Sequence, residues 1–459
     1  MSEYIVQDTS LTAVANKVRE ITGKSAPLEF PDDFIDEIDT LVKIPDTPND
    51  SILFYSLDPF TVGIANRTKN WNGAIYYSFD RETWTEWDGS VDITASIVNK
   101  VYVIYLKGQN VSYFNTEAIG ANGCFVITGG GIKCVGDLHN LVYSFSSSYA
   151  CCYMFHNCYS LDFDLTLYTT FSETLGTGVF SFMFDNCYSL SKAPALTFQN
   201  NSAYCFRSMF KNCKNLRIPP VLPASANANM YCYDSMFSGC SSLETAPELR
   251  ATNASAYCYN QMFQDCKSLK NPPVMLATDT ADHCFTNMFR NCTSLKSAPA
   301  LPSLGVATFA YNAMFYGCTS LETAPALPAT SLGTYCYQNM FYGCTSLTTV
   351  PALPATTLQN YCYNAMFRNC TGLTALNALP SISPKTSCYA SMYAGCSNIK
   401  ISETQVDEYQ TAYRIPPTGT ASTLSGALNS MFSETGGTFT GTPTVNTTYY
   451  TSNTIVPAT

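Results

Sequence analysis

The sequence predicts an α/β repeat solenoid, preceded by a small β domain and a short N-terminal helical segment and closed by a C-terminal cap. Three observations predict it. The pattern Met-Phe-x-x-Cys-x-x-Leu recurs through the middle of the chain, clearest at Met236-Phe237 to Leu243, Met262-Phe263 to Leu269 and Met340-Phe341 to Leu347. Its closing cysteines fall at 158, 187, 213, 240, 266, 292, 318, 344, 370 and 396, a spacing of 29, 26 and 27 and then 26 throughout. A fixed period of that length marks a stacked array in which each unit covers its neighbour's apolar face. The third observation is composition: 46% of residues are hydrophobic and only 13% charged, enough for a continuous core under a Ser, Thr, Asn and Tyr surface.

Residues 1–48 read as two short helices. Leu11, Val14, Val18 and Ile21 recur at helical spacing, Thr9 or Ser10 can cap the start, and Gly23 can end the first. Phe34, Ile38 and Leu41 give the second an apolar stripe after Pro31. Two helices this short bury little area, so the segment calls for a partner or a second copy, and these apolar residues are its docking candidates. Pro45 to Pro48 reads as a linker.

Residues 49–135 read as a β-sandwich-like domain, with strands expected at Ala74–Phe79, Val101–Leu106 and Cys124–Thr128 and a break at Gly129 to Gly131. All three tryptophans, Trp71, Trp84 and Trp87, lie here. Trp84 and Trp87 are candidates for stacking on sugar rings; packing in a sandwich core is the other reading.

Residues 136–400 are the array, of ten units of about 26 residues. In the unit beginning at Tyr231, Cys232, Met236 and Phe237 would share one side of a short helix. The residue before each closing cysteine is only ever Gly, Asn or Asp, the types that tolerate a left-handed backbone, so it is expected to cap that helix. An extended run follows, with inward leucines. Prolines at 194, 219, 247, 273, 299, 325 and 351 cannot donate to a sheet ladder, so any parallel sheet is short or interrupted there. Residues 401–459 are rich in Thr and Gly, contain a decayed copy at Met431-Phe432, and are expected to seal the open end.

The repeat resembles the BspA-like subclass of leucine-rich repeats, in the form Met-Phe-x-x-Cys-x-Ser-Leu-x-x-Ala-Pro-x-Leu-Pro-Ala-Thr, which Glu322 to Thr330 continues in full. The resemblance implies a curved solenoid used at bacterial surfaces for adhesion to proteins or glycans. The domain carrying Tyr77-Ser78-Phe79-Asp80 and Trp84-Thr85 resembles the module that often precedes such arrays. The N-terminal stretch Thr9 to Lys24, with Phe30 to Phe34, is similar to the opening of tailed-phage tail and fibre proteins.

Several functions are disfavoured. The chain carries a net charge of −10, against the basic patch from which nucleic-acid binding starts, and it has no apolar stretch long enough to insert in a membrane. The N-terminus lacks the basic and apolar regions of a secretory signal. Twenty-one cysteines show no Cys-x-x-Cys spacing for zinc, so they are read as small buried hydrophobes, with disulfides between neighbouring turns as the alternative. His139, His156 and His283 share no motif, and no phosphate loop, calcium loop or paired acidic motif stands out. No catalytic residue, metal ligand or cofactor is therefore assigned.

The expectation is a non-enzymatic phage virion protein, a tail-fibre or head-fibre adhesin exposed outside the cell. It docks to other virion proteins through residues 1–48, forms a homo-oligomer, and recognises a host surface glycan or protein with its solenoid. Contact candidates are residues that vary between units beside fixed core positions: Lys270, Asn271, Lys296, Ser297, Glu322 and Thr323. The alternatives are a bacterial cell-surface adhesin and a capsid or tail decoration without ligand.

Overall fold

The computed structural model describes residues 45–69, 71–109, 114, 124–167, 174–196, 198, 200–381, 384–415 and 426–458. The N-terminal docking candidates, from Leu11 to Ile38, lie outside the described residues.

The β domain is a two-layer sandwich. Its strands are β1 (Ile52–Ser56), β2 (Thr61–Ile64), β3 (Ala74–Ser78), β4 (Thr85–Trp87), β5 (Ile93–Thr94), β6 (Ser96–Val98), β7 (Val101–Gln109), β8 (Phe125–Thr128) and β9 (Ile132–Asp137). The strands at β3, β7 and β8 coincide with the three expected from β-branched and aromatic runs. One sheet is ordered β9-β1-β7-β3-β4, and β5-β2-β8 forms the other. Alternation turns Ile52, Phe54, Ile75, Ile104 and Leu106 into the layer between them, with Phe60, Val62, Ile64 and Phe125 opposite.

No break separates this domain from the array. β9 pairs in parallel with β10 (Leu161–Leu167) from Ile132↔Leu161 to Asp137↔Thr166, and β10 pairs in turn with β11 (Ala195–Leu196). The boundary expected between 135 and 136 thus falls inside a strand. One hydrophobic core runs from Ile52 through to Tyr449.

The array is a solenoid, but its expected helices are absent. Among the described residues there is no α-helix, only a 3-10 turn at Leu138–Asn140. Each unit instead opens with a square coil of four residues per turn. In the coil from Tyr231 to Cys240, φ is +55° at Tyr231, +56° at Ser235 and +78° at Gly239. A left-handed residue at every fourth position breaks the helical run and turns the chain a corner, giving four residues per turn instead of 3.6. The N–H groups of Cys232, Asp234, Met236, Ser238 and Cys240 donate to carbonyls three residues back. Those of Tyr231, Tyr233, Ser235, Phe237 and Gly239 donate along the stack, to Ala256, Cys258, Asn260, Met262 and Gln264 of the next unit, at 2.8–3.2 Å. Alternate amides thus close the coil and join it to the next, and the backbone is satisfied without helix or sheet.

The same geometry sorts the side chains. The two residues after each left-handed one point inward, giving Cys232-Tyr233, Met236-Phe237 and then Cys240. Repeated along the stack they form ladders. Phe155, Phe184, Phe210, Phe237, Phe263, Phe289, Phe315, Phe341, Phe367, Tyr393 and Phe432 stack ring on ring at 5.5–5.9 Å. The leucine of each unit is fully buried beside them. The closing cysteine donates its S–H to the phenylalanine carbonyl of the unit before, as Cys266 does to Phe237 at 3.1 Å. All 21 cysteines are free and buried, so the disulfide alternative is not what the structure holds.

Parallel pairing in the extended runs is brief, as the prolines require. Beyond β10 and β11, it joins β12 (Asn227–Ala228) to β13 (Asn253–Ala254) and β14 (Gly305–Val306) to β15 (Ser331–Leu332), with isolated bridges such as Thr245↔Asn271 and Ser297↔Thr323.

Both ends of the stack are covered. At the start, Phe114 and Phe125 donate to the first coil's outward carbonyls at Ala150 and Met154, both at 2.8 Å. At the finish, Met431-Phe432 forms an eleventh coil, with Gly426, Ser430 and Glu434 left-handed, that accepts bonds from Tyr389, Ser391, Tyr393 and Gly395. Its own outward amides at Phe432 and Ser430 donate to Gly441 O and Thr442 Oγ1, at 2.9 and 2.7 Å. The remaining strands, β16 (Ala375–Asn377), β17 (Ile401–Ser402), β18 (Thr411–Arg414), β19 (Thr448–Thr451) and β20 (Thr454–Val456), tie the cap down, β20 pairing with β16 and β17-β19-β18 forming a small sheet.

Candidate ligand-contact surface

A solenoid with a filled interior offers ligands its outer columns, where one position recurs from unit to unit. Lys270, Lys296 and Glu322 occupy one column and Asn271, Ser297 and Thr323 the next, all exposed and carried on three successive units. The structure brings the six together as one strip. All three of its charges are paired across units, Lys270 with Glu244 at 2.8 Å and Lys296 with Glu322 at 3.6 Å. Both pairs are solvent-exposed and contribute on the order of 0–1 kcal/mol. The strip is therefore polar and electrically balanced.

The tryptophans divide. Trp87 is a correction: it is 2% exposed, lies over Phe125 in the sandwich core and donates its indole N–H to Val91 O at 2.8 Å. Alternation along β4 turns it inward, so it has no face for a sugar. Trp71 is buried beside it. Trp84 is half-buried, donates to Arg81 O, and carries the Lys107 ammonium 3.8 Å over its ring.

Two outer columns lay hidden in the sequence. Tyr204, Tyr231, Tyr257, His283, Phe309, Tyr335 and Tyr361 occupy the first left-handed position of successive coils and stack, half-buried, at 4.5–4.9 Å. Each ring covers its neighbour's face, so solvent meets edges and hydroxyls. Burial in this column pulls His283 below the ordinary histidine range, against the opposing charge of Asp282. The other column holds the residue after each phenylalanine: Arg290, Tyr316, Tyr342 and Arg368 on four successive units. The signal was there, since one repeat position carried Arg, Tyr, Tyr and Arg, but only the register makes them neighbours.

Six copies of the family model described as the BspA type leucine rich repeat region match residues 133–270, 226–340 and 279–400, more than half of the chain. The chain belongs to the BspA-type leucine-rich-repeat family. Among solved structures, this BspA-type chain is similar to a leucine-rich repeat protein from Bacteroides ovatus ATCC 8483, at 19% identity over 58% of this chain and 71% of that one, with a TM-score of 0.35. No curated protein matches it.

The chemistry of the BspA-type array is that of a packed wall. Burial pushes the Cys152 and Cys205 thiols up to about 12, which suppresses the thiolate a nucleophile needs. His156 faces Asp185 at 3.3 Å. Among the described residues no group of three or more His, Cys, Asp or Glu side chains is placed to hold a metal ion, and no helix is long and apolar enough to cross a membrane.

Proposed function

We propose that this BspA-type protein is a non-enzymatic adhesin that recognises a surface glycan or protein with the outer columns of its solenoid. One observation carries the reading: the interior repeats the same ladders through eleven coils, while the outer columns change residue from unit to unit. A fixed core under a variable face separates stability from recognition, and weak contacts along the stack add up.

The carrier we propose is a phage virion, on the likeness of Thr9 to Lys24 to tail and fibre proteins, with residues 1–48 joining copies and docking to other virion proteins. The family match favours a second carrier, a bacterial cell surface. Two measurements test the scheme. The fluorescently labelled full chain is expected to bind bacterial cells from a host panel in a saturable way; no binding to any of them sinks the adhesin. A chain lacking residues 1–48 is expected to be absent from assembled particles, and its incorporation would overturn the docking role.

A further inference from the structure

Within the Arg-Tyr-Tyr-Arg column, Tyr316 and Tyr342 stack with centroids 4.5 Å apart and planes 9° off parallel. The Arg290 guanidinium lies 4.0 Å over the outer face of Tyr316, and Arg368 caps Tyr342 at 5.8 Å. The close contact on Tyr316 orients the Arg290 guanidinium over the ring, and Arg368 stands exposed beyond Tyr342.

Neither arginine has a carboxylate partner among the described residues. Arg207, Arg250, Lys270 and Lys296 do, on the same solenoid. Asp265, whose amide donates to Arg290 O at 2.8 Å, has its carboxylate engaged by Asn291 at 2.8 Å and Gln264 at 3.2 Å. Arg290 makes only a long contact to Asn287 Oδ1, at 3.4 Å. Two cations on a chain of net charge −10 thus stand in one column without a carboxylate partner among the described residues.

The neighbouring column shapes the ground between them. Asn291 and Asn369 stand beside the two arginines, while Gly317 and Gly343 stand beside the two tyrosines. A Cβ at Gly343 would meet nothing nearer than the Gly317 Cα at 4.0 Å, so bare backbone is open there, while Asn291 Oδ1 leans over Gly317, 2.5 Å from where a Cβ would sit. The result is a shallow shelf, floored by Gly343 and two phenol edges, with the Asn291 amide reaching over Gly317 and an Arg-Asn pair at each end. Asn369 leans onto it, donating to the Tyr342 hydroxyl at 3.2 Å.

We infer that this shelf binds an acidic polysaccharide, a carboxylated or sulfated glycan chain lying along the solenoid axis. Three unit steps separate the arginines, about 14 Å at strand-like spacing, so one anionic group cannot reach both and the ligand carries at least two. The flat floor admits a sugar ring, whose hydroxyls meet the tyrosine hydroxyls and Asn369. Nucleic acid fits poorly: both tyrosine faces are covered, so no base can stack. The inference rests on the adhesin reading and names its ligand class.

The test uses the full chain with immobilised polygalacturonate, dextran sulfate, neutral dextran, polyuridylate and polyglutamate. Binding is expected to polygalacturonate or dextran sulfate and not to dextran, and which of the two binds separates carboxylate from sulfate. Arg290→Gln or Arg368→Gln is expected to weaken it about tenfold, and both together about a hundredfold. Gly343→Asn, whose side chain tolerates the left-handed backbone but fills the shelf, is expected to weaken it with the circular dichroism spectrum unchanged. Failure to bind either acidic polysaccharide, equal binding by the double arginine variant, or equal affinity for polyuridylate or polyglutamate overturns the site. The double variant is also assayed on cells. If it adheres as the parent does, this shelf is refuted and adhesion stands; if the parent adheres to nothing, adhesion itself has failed.

Discussion

Gly317 and Gly343 form a matched pair that tests the coil geometry. Both hold φ at +71°, so alanine at either position meets the same left-handed penalty, about 1–2 kcal/mol. The loss of unfolded-chain freedom returns about 0.4–1 kcal/mol, leaving Gly343→Ala destabilised by about 1 kcal/mol. The space around them differs. Gly343 is open to 4.0 Å, whereas a Cβ on Gly317 would sit 2.5 Å from Asn291 Oδ1. Asn291 can swing away only by giving up its bond to Asp265, a charge-assisted contact that contributes about 1.5–3 kcal/mol. Gly317→Ala is therefore expected to lose about 3 kcal/mol. In a stacked array that loss is local, so the readout is amide hydrogen exchange at Phe315 and Gly317, which donate to Met340 and Tyr342 of the next unit. Equal destabilisation by the two substitutions, or none from either, would refute the coil.

Two further outcomes follow from buried groups. No thiol is expected to react with an aromatic disulfide reagent at neutral pH, and all 21 once the chain is denatured; several fast thiols in the native protein would contradict the packed ladders. The same burial makes the protein alkali-labile. Folded thiols raised from 9.0 to about 12, as at Cys205 and Cys318, keep their protons while unfolded ones lose them. Their contribution to stability is whole below pH 9 and falls as pH climbs from there towards 12, by up to about 1.4 kcal/mol per pH unit for each thiol. A melting temperature that stays level across that window would count against it. Finally, Asp234 is 4% exposed and held by Arg207 at 2.9 Å and Asn260 at 2.8 Å. Arg207→Ala is expected to destabilise by about 1–3 kcal/mol in denaturant titration, since Asp234 is buried but Arg207 is partly exposed. Adding Asp234→Asn should restore much of that, and no recovery would mean the charge is not the cause.

The array, its inward cysteines and leucines and its broken strands were legible because the period is fixed and proline cannot pair. The position before each closing cysteine was legible too, since Gly, Asn and Asp share a tolerance for positive φ, observed there from +58° at Asn212 to +78° at Gly239. The helix was misread. Cys232, Met236 and Phe237 suit a 3.6-residue turn about as well as a four-residue one. What separates them is that inward pairs recur every four residues without drift. The other left-handed positions include Gly178, Asn287 and Asn339 but mostly carry Tyr, Ser, Ala and Phe, as at Tyr335 and Ala313, residues with no such preference of their own. Bonds to the adjoining unit hold them there, and that information lies 26 residues away. The Arg-Tyr-Tyr-Arg column was hidden for the same reason.

The coils share one orientation, every outward amide facing the cap and every outward carbonyl facing the sandwich. Molecular reach can therefore change only in whole increments, since a spliced-in unit of the same register finds a donor on one side and an acceptor on the other. A partial unit would leave a mismatched seam in the middle of the rod. Length is thus a quantised trait of this architecture, adjustable by duplication while both terminal fittings stay as they are.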